Sequence, residues 1–298
     1  MRIVVLGAGG MLGRDLMLLL GSGHLTVGIE RSTCDITKPE DVNRVIAEYS
    51  PDVVVNAAAY TDVDACETNP ERCFPVNAEG VKNIASACRK SGALVVHFST
   101  DYVFDGRKKT PYGEEDDTSP INLYGSSKLK GEGFLREFSE HWLLIRTSWL
   151  YGLNGKNFVK TIIEKSSKVS ALEVVDDQIG SPTYAADLAL AVKILIEARK
   201  TGVFHFTNRG QCSWHGFACR ILEIAGRGDV DIKAISSQNL HRAALRPAWS
   251  VLDTAKYSKD TGETIRNWEA ALKDYLTLSG YAGRQSGHQA LKGTGNGR

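Results

Sequence analysis

The sequence predicts an α/β fold, a doubly wound parallel sheet of the Rossmann type with a smaller C-terminal lobe. Short apolar, β-branched runs alternate with segments whose apolar residues recur at helical spacing. These runs are apolar along their whole length, which is typical of parallel strands covered by helices on both faces. A glycine-rich loop, GAGGMLG, follows the first run directly, as in folds that bind a nucleotide at the end of the first strand.

The first half of the chain reads as a regular alternation of strands and helices. RIVVLG (2–7) and LTVGIE (25–30) are predicted strands, and the segment between them carries Leu12, Leu16 and Leu19 at helical spacing. The later elements are predicted as helix 41–49, strand 51–59, helix 71–92, strand 93–100, a helix that begins near Tyr124, and strand 141–149.

The second half changes in character, and two units are therefore expected. Residues 1–150 form a nucleotide-binding unit, to which segments near 180–210 return, while 151–278 form mainly the smaller lobe. The last residues, 279–298, are polar and glycine-rich and are expected to be a disordered tail. Helices are predicted at 154–168, 184–200, 213–226 and 266–278, and strands near 172–183 and 202–208.

Composition favours a small-molecule partner. The 298 residues carry 36 Lys and Arg against 35 Asp and Glu, a net charge of +1, so no overall field favours nucleic acid or a membrane surface. No apolar run approaches the roughly 18 residues that a membrane span needs. The six cysteines contain no C-x-x-C pair, so we expect reduced thiols in a cytoplasmic protein.

The glycine loop predicts a dinucleotide site. Its glycines fit G-x-x-G-x-x-G at Gly7, Gly10 and Gly13, whereas the strict G-x-G-x-x-G pattern fails because position 12 is Leu. A tight turn of this kind lets the backbone approach a pyrophosphate at a helix N-terminus. Met11 and Leu12 complete the predicted loop contacts.

The end of the second strand carries both charges that distinguish the two nicotinamide dinucleotides. Glu30 is suited to a ribose 2′-hydroxyl and Arg31 to a 2′-phosphate, so either NADH or NADPH is expected, with a preference for NADPH. An ordinary surface ion pair is the alternative for these two residues. Asp35 and Ile36 are expected to cover the adenine.

A strand-end hydroxyl and a Tyr-x-x-x-Lys pair predict proton transfer to a carbonyl. Thr100 ends the fourth strand, at the edge where open α/β sheets bind ligands, and Tyr124 and Lys128 follow one helical turn apart. The ammonium of Lys128, together with the cation of an oxidised nicotinamide, would lower the pKa of the Tyr124 phenol toward the working range. With the glycine loop, these residues are the three parts of a hydride-transfer site.

Seven segments make the chain resemble one family closely. The glycine variant is that of the short-chain dehydrogenase/reductase superfamily, and within its extended branch the chain is similar to dTDP-4-dehydrorhamnose reductases. That family reduces the C4 ketone of dTDP-4-dehydro-L-rhamnose with NADPH or NADH. The matching segments are NAAAYTDVDACE (56–67), FSTDYVFDG (98–106), SPINLYGSSKLKGE (119–132), LIRTSWLYG (144–152), NFVKTI (157–162), DDQIGSPTYAADLA (176–189) and RPAWSVLD (246–253).

The resemblance implies roles for individual residues. Tyr124 would be the proton donor, Lys128 its partner on the nicotinamide ribose, and Thr100 the group that polarises the ketone. The smaller lobe would bind the sugar nucleotide, with Arg246 on the pyrophosphate or in a structural ion pair. Residues implied for the dinucleotide groove are Asn56, Ala57, Ala58 and Ala59, and those for the substrate are Thr61, Val63, Thr100, Asp101, Tyr102, Trp149 and Arg246.

A metal-bridged dimer is the one family feature that the sequence puts in doubt. Some members bridge two subunits with magnesium, and Asp15 lies where one ligand is expected. The second expected position is Ala186, although its neighbour Asp187 is acidic. Monomer and homodimer both stay open.

Three rival functions share the fold. A sugar-nucleotide 4,6-dehydratase needs an acid and then a base after Thr100, and here Asp101 is followed by Tyr102. A non-catalytic, NADP-binding regulatory subunit, such as that of methionine adenosyltransferase, would not require the intact Tyr124 and Lys128 pair. A reductase of another 4-keto deoxysugar nucleotide is hardly distinguished by these motifs, which leave the sugar, the base and the cofactor preference open.

Overall fold

A six-stranded parallel sheet forms the centre of the protein, whose computed structural model describes residues 1–282. The strands are short, and most residues of the inner ones are apolar and buried, as expected for a sheet between two helical layers. They are β1 (Arg2–Leu6), β2 (Leu25–Ile29), β3 (Val53–Asn56), β4 (Leu94–Thr100), β5 (Trp142–Thr147) and β6 (Gly202–His205).

The strand order places a ligand crevice between β1 and β3. Across the sheet the order is β2-β1-β3-β4-β5-β6, with every pair parallel. The chain therefore winds outward in both directions from β1, and such a switch point is where open sheets bind ligands. Leu6 pairs with Asn56 and Thr100 with Thr147, so the predicted site residues lie at one carboxyl edge.

Helices cover both faces of the sheet and bury two separate apolar cores against it. The doubly wound fold class predicted from the sequence is confirmed. One face carries Met11–Gly21, Ala185–Glu197 and Ala255–Thr261, and the other carries Pro39–Tyr49, Gly80–Ser91 and Leu123–Phe138.

Much of the chain beyond β5 packs around a third, strongly aromatic core. Three helices, Phe158–Ser166, Trp214–Ile224 and Trp268–Leu278, enclose a parallel pair of strands, Ala171–Val175 and Asp231–Ile235. The division into units near residue 150 stays a prediction. None of the helices in residues 1–282 is both long and apolar enough to cross a membrane.

Two short strand pairs and several brief elements complete the chain. The paired short strands are Leu150–Tyr151 with Thr183–Tyr184, and Ile179–Gly180 with Cys212–Ser213. At the C-terminus the amides of Tyr281 and Ala282 both donate to the carbonyl of Leu276. The rest of the predicted tail, 283–298, lies outside the described residues.

The predicted helix 71–92 differs from the observed structure. It consists of Pro70–Phe74, one π-helical turn Pro75–Glu79, and Gly80–Ser91. Pro75 has no amide hydrogen to donate, and Asn77 inside the turn directs its side chain to the backbone of Tyr60. The sequence also did not predict the helices Val63–Thr68 and Ala255–Thr261 or the strand Asp231–Ile235.

A buried ion pair attaches the helix of the Tyr-x-x-x-Lys motif to the sheet. Glu132 on this helix accepts two hydrogen bonds from the Arg146 guanidinium on β5, at 3.0 and 2.8 Å. The side chains are 0% and 2% exposed. Arg146 also donates to the Glu114 carbonyl, and Arg136 reaches the same carboxylate from the solvent side.

Replacing Glu132 by Gln is expected to destabilise the fold strongly. The change leaves the Arg146 charge buried without a counter-ion, and a broken buried pair costs about 3 to 5 kcal/mol. Urea unfolding followed by circular dichroism measures the loss. Arg136→Ala removes only the exposed partner of the same carboxylate and is expected to cost less than about 1 kcal/mol. Equal losses in the two variants would contradict the assignment of Arg146 as the main partner.

Candidate active site

The glycine loop and the end of β3 form the dinucleotide crevice. Gly7 has φ +77°, and a Cβ atom there would lie 2.7 Å from the Ala58 nitrogen. At Gly13 a Cβ would lie 2.2 Å from the Gly7 carbonyl oxygen. Only glycine permits these two close backbone contacts. Beside the loop lies a crevice of about 500 Å³. Its lining includes the predicted Gly7, Gly10, Glu30, Arg31, Asp35, Ile36, Ala57, Ala58 and Ala59.

The charged residues after β2 lie at the outer end of this crevice. Arg31 is 82% exposed and lies 3.9 Å from the Asp35 carboxylate, so its guanidinium is free to turn toward a ligand. The carboxylate of Asp35 accepts from Thr37, which holds the turn. Ile36 is buried beneath Gly80. The roles of these residues in cofactor choice stay predictions.

Other loop residues contribute through the backbone. The side chain of Leu12 belongs to the core, and Met11 packs beside Gly152, so neither side chain lines the crevice. The crevice includes residues that the sequence analysis did not select, Gly9, Arg14, Cys34, Tyr60 and Val76. Of these residues, Arg14 could have been recognised from the sequence. A cation in the first turn of a helix is unfavourable to the helix dipole, so its presence suggests an anionic partner.

The helix Leu123–Phe138 begins at the strand-end turn of β4. Asn122 caps it by accepting from the Gly125 amide at 2.7 Å, and its own amide group donates to the Leu245 carbonyl. A Cβ at Gly125 would lie 2.1 Å from the Tyr102 carbonyl oxygen. This close contact brings Tyr124 to the end of β4, where the ring packs edge-on against Tyr102 at 6.0 Å.

Thr100 and Asp101 are buried, and Tyr124 lies half-buried beside them. The pKa of Tyr124 is raised because burial disfavours the phenolate and the Asp101 charge adds to the effect, while the nearby Thr100 hydroxyl opposes both. The hydroxyl of Thr100 donates to the Asp101 carboxylate at 2.9 Å. Burial also raises the pKa of Asp101 to about 7.

The contact that the structure shows for Lys128 is with a histidine. Its side-chain nitrogen lies 3.3 Å from His97 Nε2, and both residues are buried. Burial lowers the pKa of Lys128 to about 8. The lowering of the Tyr124 pKa expected with a bound nicotinamide cation stays a prediction; without a dinucleotide, burial of the phenol raises this pKa.

A second cavity, of about 380 Å³, lies between Tyr102 and the smaller lobe. Phe158 and Trp214 give it aromatic walls, and Arg242 and Arg246 place two guanidinium groups at its side. An apolar cavity with a local pair of cations is suited to a flat ring joined to a phosphate group. The sequence analysis named only Tyr102 and Arg246 of this set.

Trp149 is not among the residues that line this cavity. Its ring stacks on Trp214 with centroids 3.5 Å apart, and it packs against Gly180. Its φ of +46° is unusual for a bulky side chain and marks a position where surrounding contacts impose the backbone conformation. Its contact with a deoxysugar stays a prediction.

Arg246 forms an ion pair with a residue 182 positions earlier in the chain. Its guanidinium donates to both carboxylate oxygens of Asp64, at 3.0 and 2.8 Å, and Arg242 adds a third bond at 3.2 Å. The Arg246 hydrogen bonds hold the pKa of Asp64 well below its usual range. Asp64 belongs to the first turn of Val63–Thr68, so Thr61 and Val63 lie close to this junction. Their contacts with substrate stay predictions.

Comparison with known proteins identifies the family. A family model described as the RmlD substrate binding domain matches residues 1–280. The chain belongs to that family.

Relatives in the RmlD substrate binding domain family match over nearly their whole length. A Streptomyces griseus protein named dTDP-4-dehydrorhamnose reductase is 39% identical over 291 residues, covering 95% of this chain and 96% of that protein. A Streptomyces niveus protein named dTDP-4-keto-6-deoxy-D-glucose reductase is 37% identical, covering 93% and 97%. The family predicted from the sequence is confirmed.

A solved structure extends the likeness to the fold. The dTDP-4-dehydrorhamnose reductase of Bacillus anthracis, in complex with NADP, superimposes with a TM-score of 0.90 at 36% identity. The match covers 93% of this chain and 99% of that one.

The magnesium site that the sequence put in doubt has no complete ligand set among residues 1–282. Asp15 is buried, burial raises its pKa, and one carboxylate oxygen has no hydrogen-bond partner among the described residues. Asp187, the acidic neighbour of Ala186, is instead paired with Arg266 at 2.8 Å. Residues 1–282 contain no cluster of three or more His, Cys, Asp or Glu side chains arranged for a metal ion. A metal role for Asp15 stays a prediction.

Gly13→Ala is expected to weaken NADPH binding by at least about tenfold. The new methyl group would meet the Gly7 carbonyl and the Ala8 backbone, neither of which can move without opening the loop. NADPH fluorescence titration measures the affinity. Gly133→Ala is the matched control, because a Cβ there meets no atom within 4 Å and alanine favours a helix. Equal affinity in both variants would contradict this role for the loop.

Asp101 is expected to make stability depend on pH. Its folded pKa, about 7, lies above the ordinary 3.8, so ionisation disfavours the folded state. Stability is fully present below about pH 4 and is lost as pH rises through about 7. Urea unfolding of wild type and Asp101→Asn is therefore expected to diverge over that interval and then stay parallel. The exposed Asp117→Asn change should give no such divergence, and a flat Asp101→Asn difference would contradict the prediction.

Proposed function

We propose that this protein reduces the C4 ketone of dTDP-4-dehydro-L-rhamnose to dTDP-L-rhamnose, using NADPH or NADH. The observation that carries the proposal is the convergence of three parts at one sheet edge. The glycine crevice lies at the ends of β1 and β3, Thr100 ends the neighbouring β4, and Tyr124 packs against Tyr102, which lines the aromatic cavity with its two arginines. The names of the relatives and the NADP complex of one of them support the same reaction.

The chain's own residues supply the proton and the geometry. A bound nicotinamide supplies the hydride, which would go to C4. Tyr124 would donate its phenolic proton to the ketone oxygen, which becomes the new hydroxyl. A raised pKa keeps Tyr124 protonated at neutral pH, as a proton donor must be. Thr100 would hydrogen-bond the same oxygen and hold the ketone in place.

The substrate would lie across the second cavity. Arg246 and Arg242 would face its diphosphate, since guanidinium groups form paired hydrogen bonds with phosphate oxygens. Asp64 holds both arginines in position before substrate arrives. Asp101 and Tyr102 would border the deoxysugar, with Trp149 as a further apolar contact.

The rival functions are less well supported. For a dehydratase, Tyr102 would have to act as a base, but burial raises its pKa and keeps it protonated. A regulatory subunit would not need the enclosed Tyr124 and Lys128 pair. Reduction of another 4-keto deoxysugar nucleotide stays open, because the Streptomyces niveus relative carries such a name. We propose a cytoplasmic location, and both monomer and homodimer fit the proposal.

An assay coupled to the preceding step tests the reaction. NADPH and NADH oxidation is followed at 340 nm with dTDP-4-dehydro-6-deoxyglucose, in the presence and absence of a 3,5-epimerase. Oxidation that depends on the epimerase, with dTDP-rhamnose as product, is expected. Oxidation without the epimerase would indicate the D-configured ketone as substrate. No oxidation with either cofactor, although both bind, would favour the regulatory subunit.

Tyr124→Phe is expected to lower kcat by about 10² to 10⁴ while the affinity for NADPH stays nearly unchanged. The phenylalanine keeps the ring but cannot donate a proton to the ketone oxygen. Steady-state kinetics and NADPH titration separate the two effects. Tyr49→Phe, in the helix Pro39–Tyr49, is the control and should retain wild-type kcat. A fully active Tyr124→Phe enzyme would remove the tyrosine from the proposed mechanism.

A further inference from the structure

A buried chain of polar contacts connects the dinucleotide crevice with Lys128. The Ala58 amide donates to Asn56 Oδ1 at 3.1 Å, and Asn56 Nδ2 lies 3.2 Å from His97 Nδ1. His97 Nε2 lies 3.3 Å from Lys128 Nζ. Asn56, His97 and Lys128 are all buried, so solvent does not supply alternative partners. None of the site motifs in the sequence pointed to His97.

The Ala58 amide, at the start of this chain of contacts, determines the direction of the hydrogen bonds that follow. The Ala58 amide can only donate, so it requires the oxygen of the Asn56 side chain. Asn56 therefore presents its NH₂ group to His97, and His97 Nδ1 must accept. Burial and the neighbouring Lys128 lower the pKa of His97 well below its ordinary value, so the ring is neutral. A neutral imidazole with an unprotonated Nδ1 carries its hydrogen on Nε2.

This tautomer constrains Lys128. The His97 Nε2–H group points at Lys128 Nζ, and an ammonium group has no lone pair to accept it. A free amine has one. Burial already favours the free amine in Lys128, whereas the Glu132 carboxylate on the same helix and the Cys73 thiol of Pro70–Phe74 favour the ammonium. Glu132 is itself bound by Arg146 and Arg136, which weakens its pull on Lys128.

We propose that His97 is a positioning residue that, above neutral pH, stabilises Lys128 as a free amine until the dinucleotide binds, and that Lys128 then takes up one proton from solvent. The proposal rests on the proposed function in one respect, that a nicotinamide ribose becomes the partner of Lys128. Ribose hydroxyl oxygens offer lone pairs to an ammonium, which His97 Nε2–H does not. The Ala58 amide lies in the crevice wall, so one loop both contacts the ligand and sets the His97 tautomer.

The tautomer itself is the first test. Long-range ¹H–¹⁵N spectra of ¹⁵N-histidine-labelled protein distinguish a protonated from an unprotonated ring nitrogen, and the His97 signals are those that His97→Gln removes. We expect an unprotonated Nδ1 and a protonated Nε2 in the protein without cofactor. A protonated Nδ1, or a doubly protonated ring, would overturn the proposal. This measurement uses no sugar nucleotide, so it stands whether or not the proposed reduction occurs.

A substitution at Asn56 tests the direction of the chain. In Asn56→Asp both side-chain oxygens accept, so one can serve the Ala58 amide while the other takes a hydrogen from His97 Nδ1. The His97 spectrum is then expected to change to the Nδ1–H tautomer. An unchanged Nε2–H tautomer in this variant would overturn the claim that Asn56 determines it.

Proton uptake tests the consequence for Lys128. Calorimetric titration of NADPH in buffers of different ionisation enthalpy is expected to show about one proton taken up per site near pH 9 and close to none near pH 7. In His97→Gln the amide can turn its oxygen to Lys128 and stabilise the ammonium beforehand, so the uptake near pH 9 should be lost. His205→Gln, a second buried histidine with no contact to Lys128, should retain it. Absent uptake in wild type, or retained uptake in His97→Gln, would overturn the proposal.

Discussion

The position of the helix that carries Tyr124 and Lys128 depends on one buried ion pair, Glu132 with Arg146. Tyr124, Lys128 and Glu132 are spaced four residues apart and lie along one side of the helix. On β5, Arg146 pairs with Ser99 of β4, the residue before Thr100. The pair thus determines how far the tyrosine stands from the strand-end threonine. Hydrogen bonds from Arg146 to its other neighbours offset the desolvation of two charges in the interior.

The same enclosure that orients Tyr124 and Lys128 also changes their acid–base chemistry. Burial raises the pKa of Tyr124 and lowers that of Lys128, so each group is shifted toward its neutral form relative to the free side chain in water. A neutral pair is the form that low polarity tolerates best. A positively charged nicotinamide and a ribose would change this balance. The pKa values of Tyr124 and Lys128 are therefore expected to differ between the protein with a bound dinucleotide and the protein without one.

The sequence predicted the parts of the molecule that depend on local pattern. The glycine loop, the apolar strands and the spacing of Tyr124 and Lys128 are each visible within a few residues, and the fold class and family were correct. What it could not predict depends on distant partners. The spacing suggested that Lys128 acts on Tyr124, but the contact with His97 comes from a strand some 31 positions earlier. The π-helical turn likewise contains Asn77, whose side chain forms hydrogen bonds with the backbone of Tyr60, 17 positions away.

The tie between Asp64 and Arg246 has a consequence for how the chain is made. The lining of the glycine crevice is complete once Val76 has been synthesised, whereas the second cavity needs Arg246, about 170 residues later. At ordinary rates of translation that interval lasts roughly 10 to 30 s. The nascent chain therefore carries every residue that lines the glycine crevice well before the lining of the second cavity is complete. Asp64 is synthesised long before Arg246, the arginine that pairs with it. Once Arg246 has been synthesised, this ion pair connects an early part of the chain with a late part.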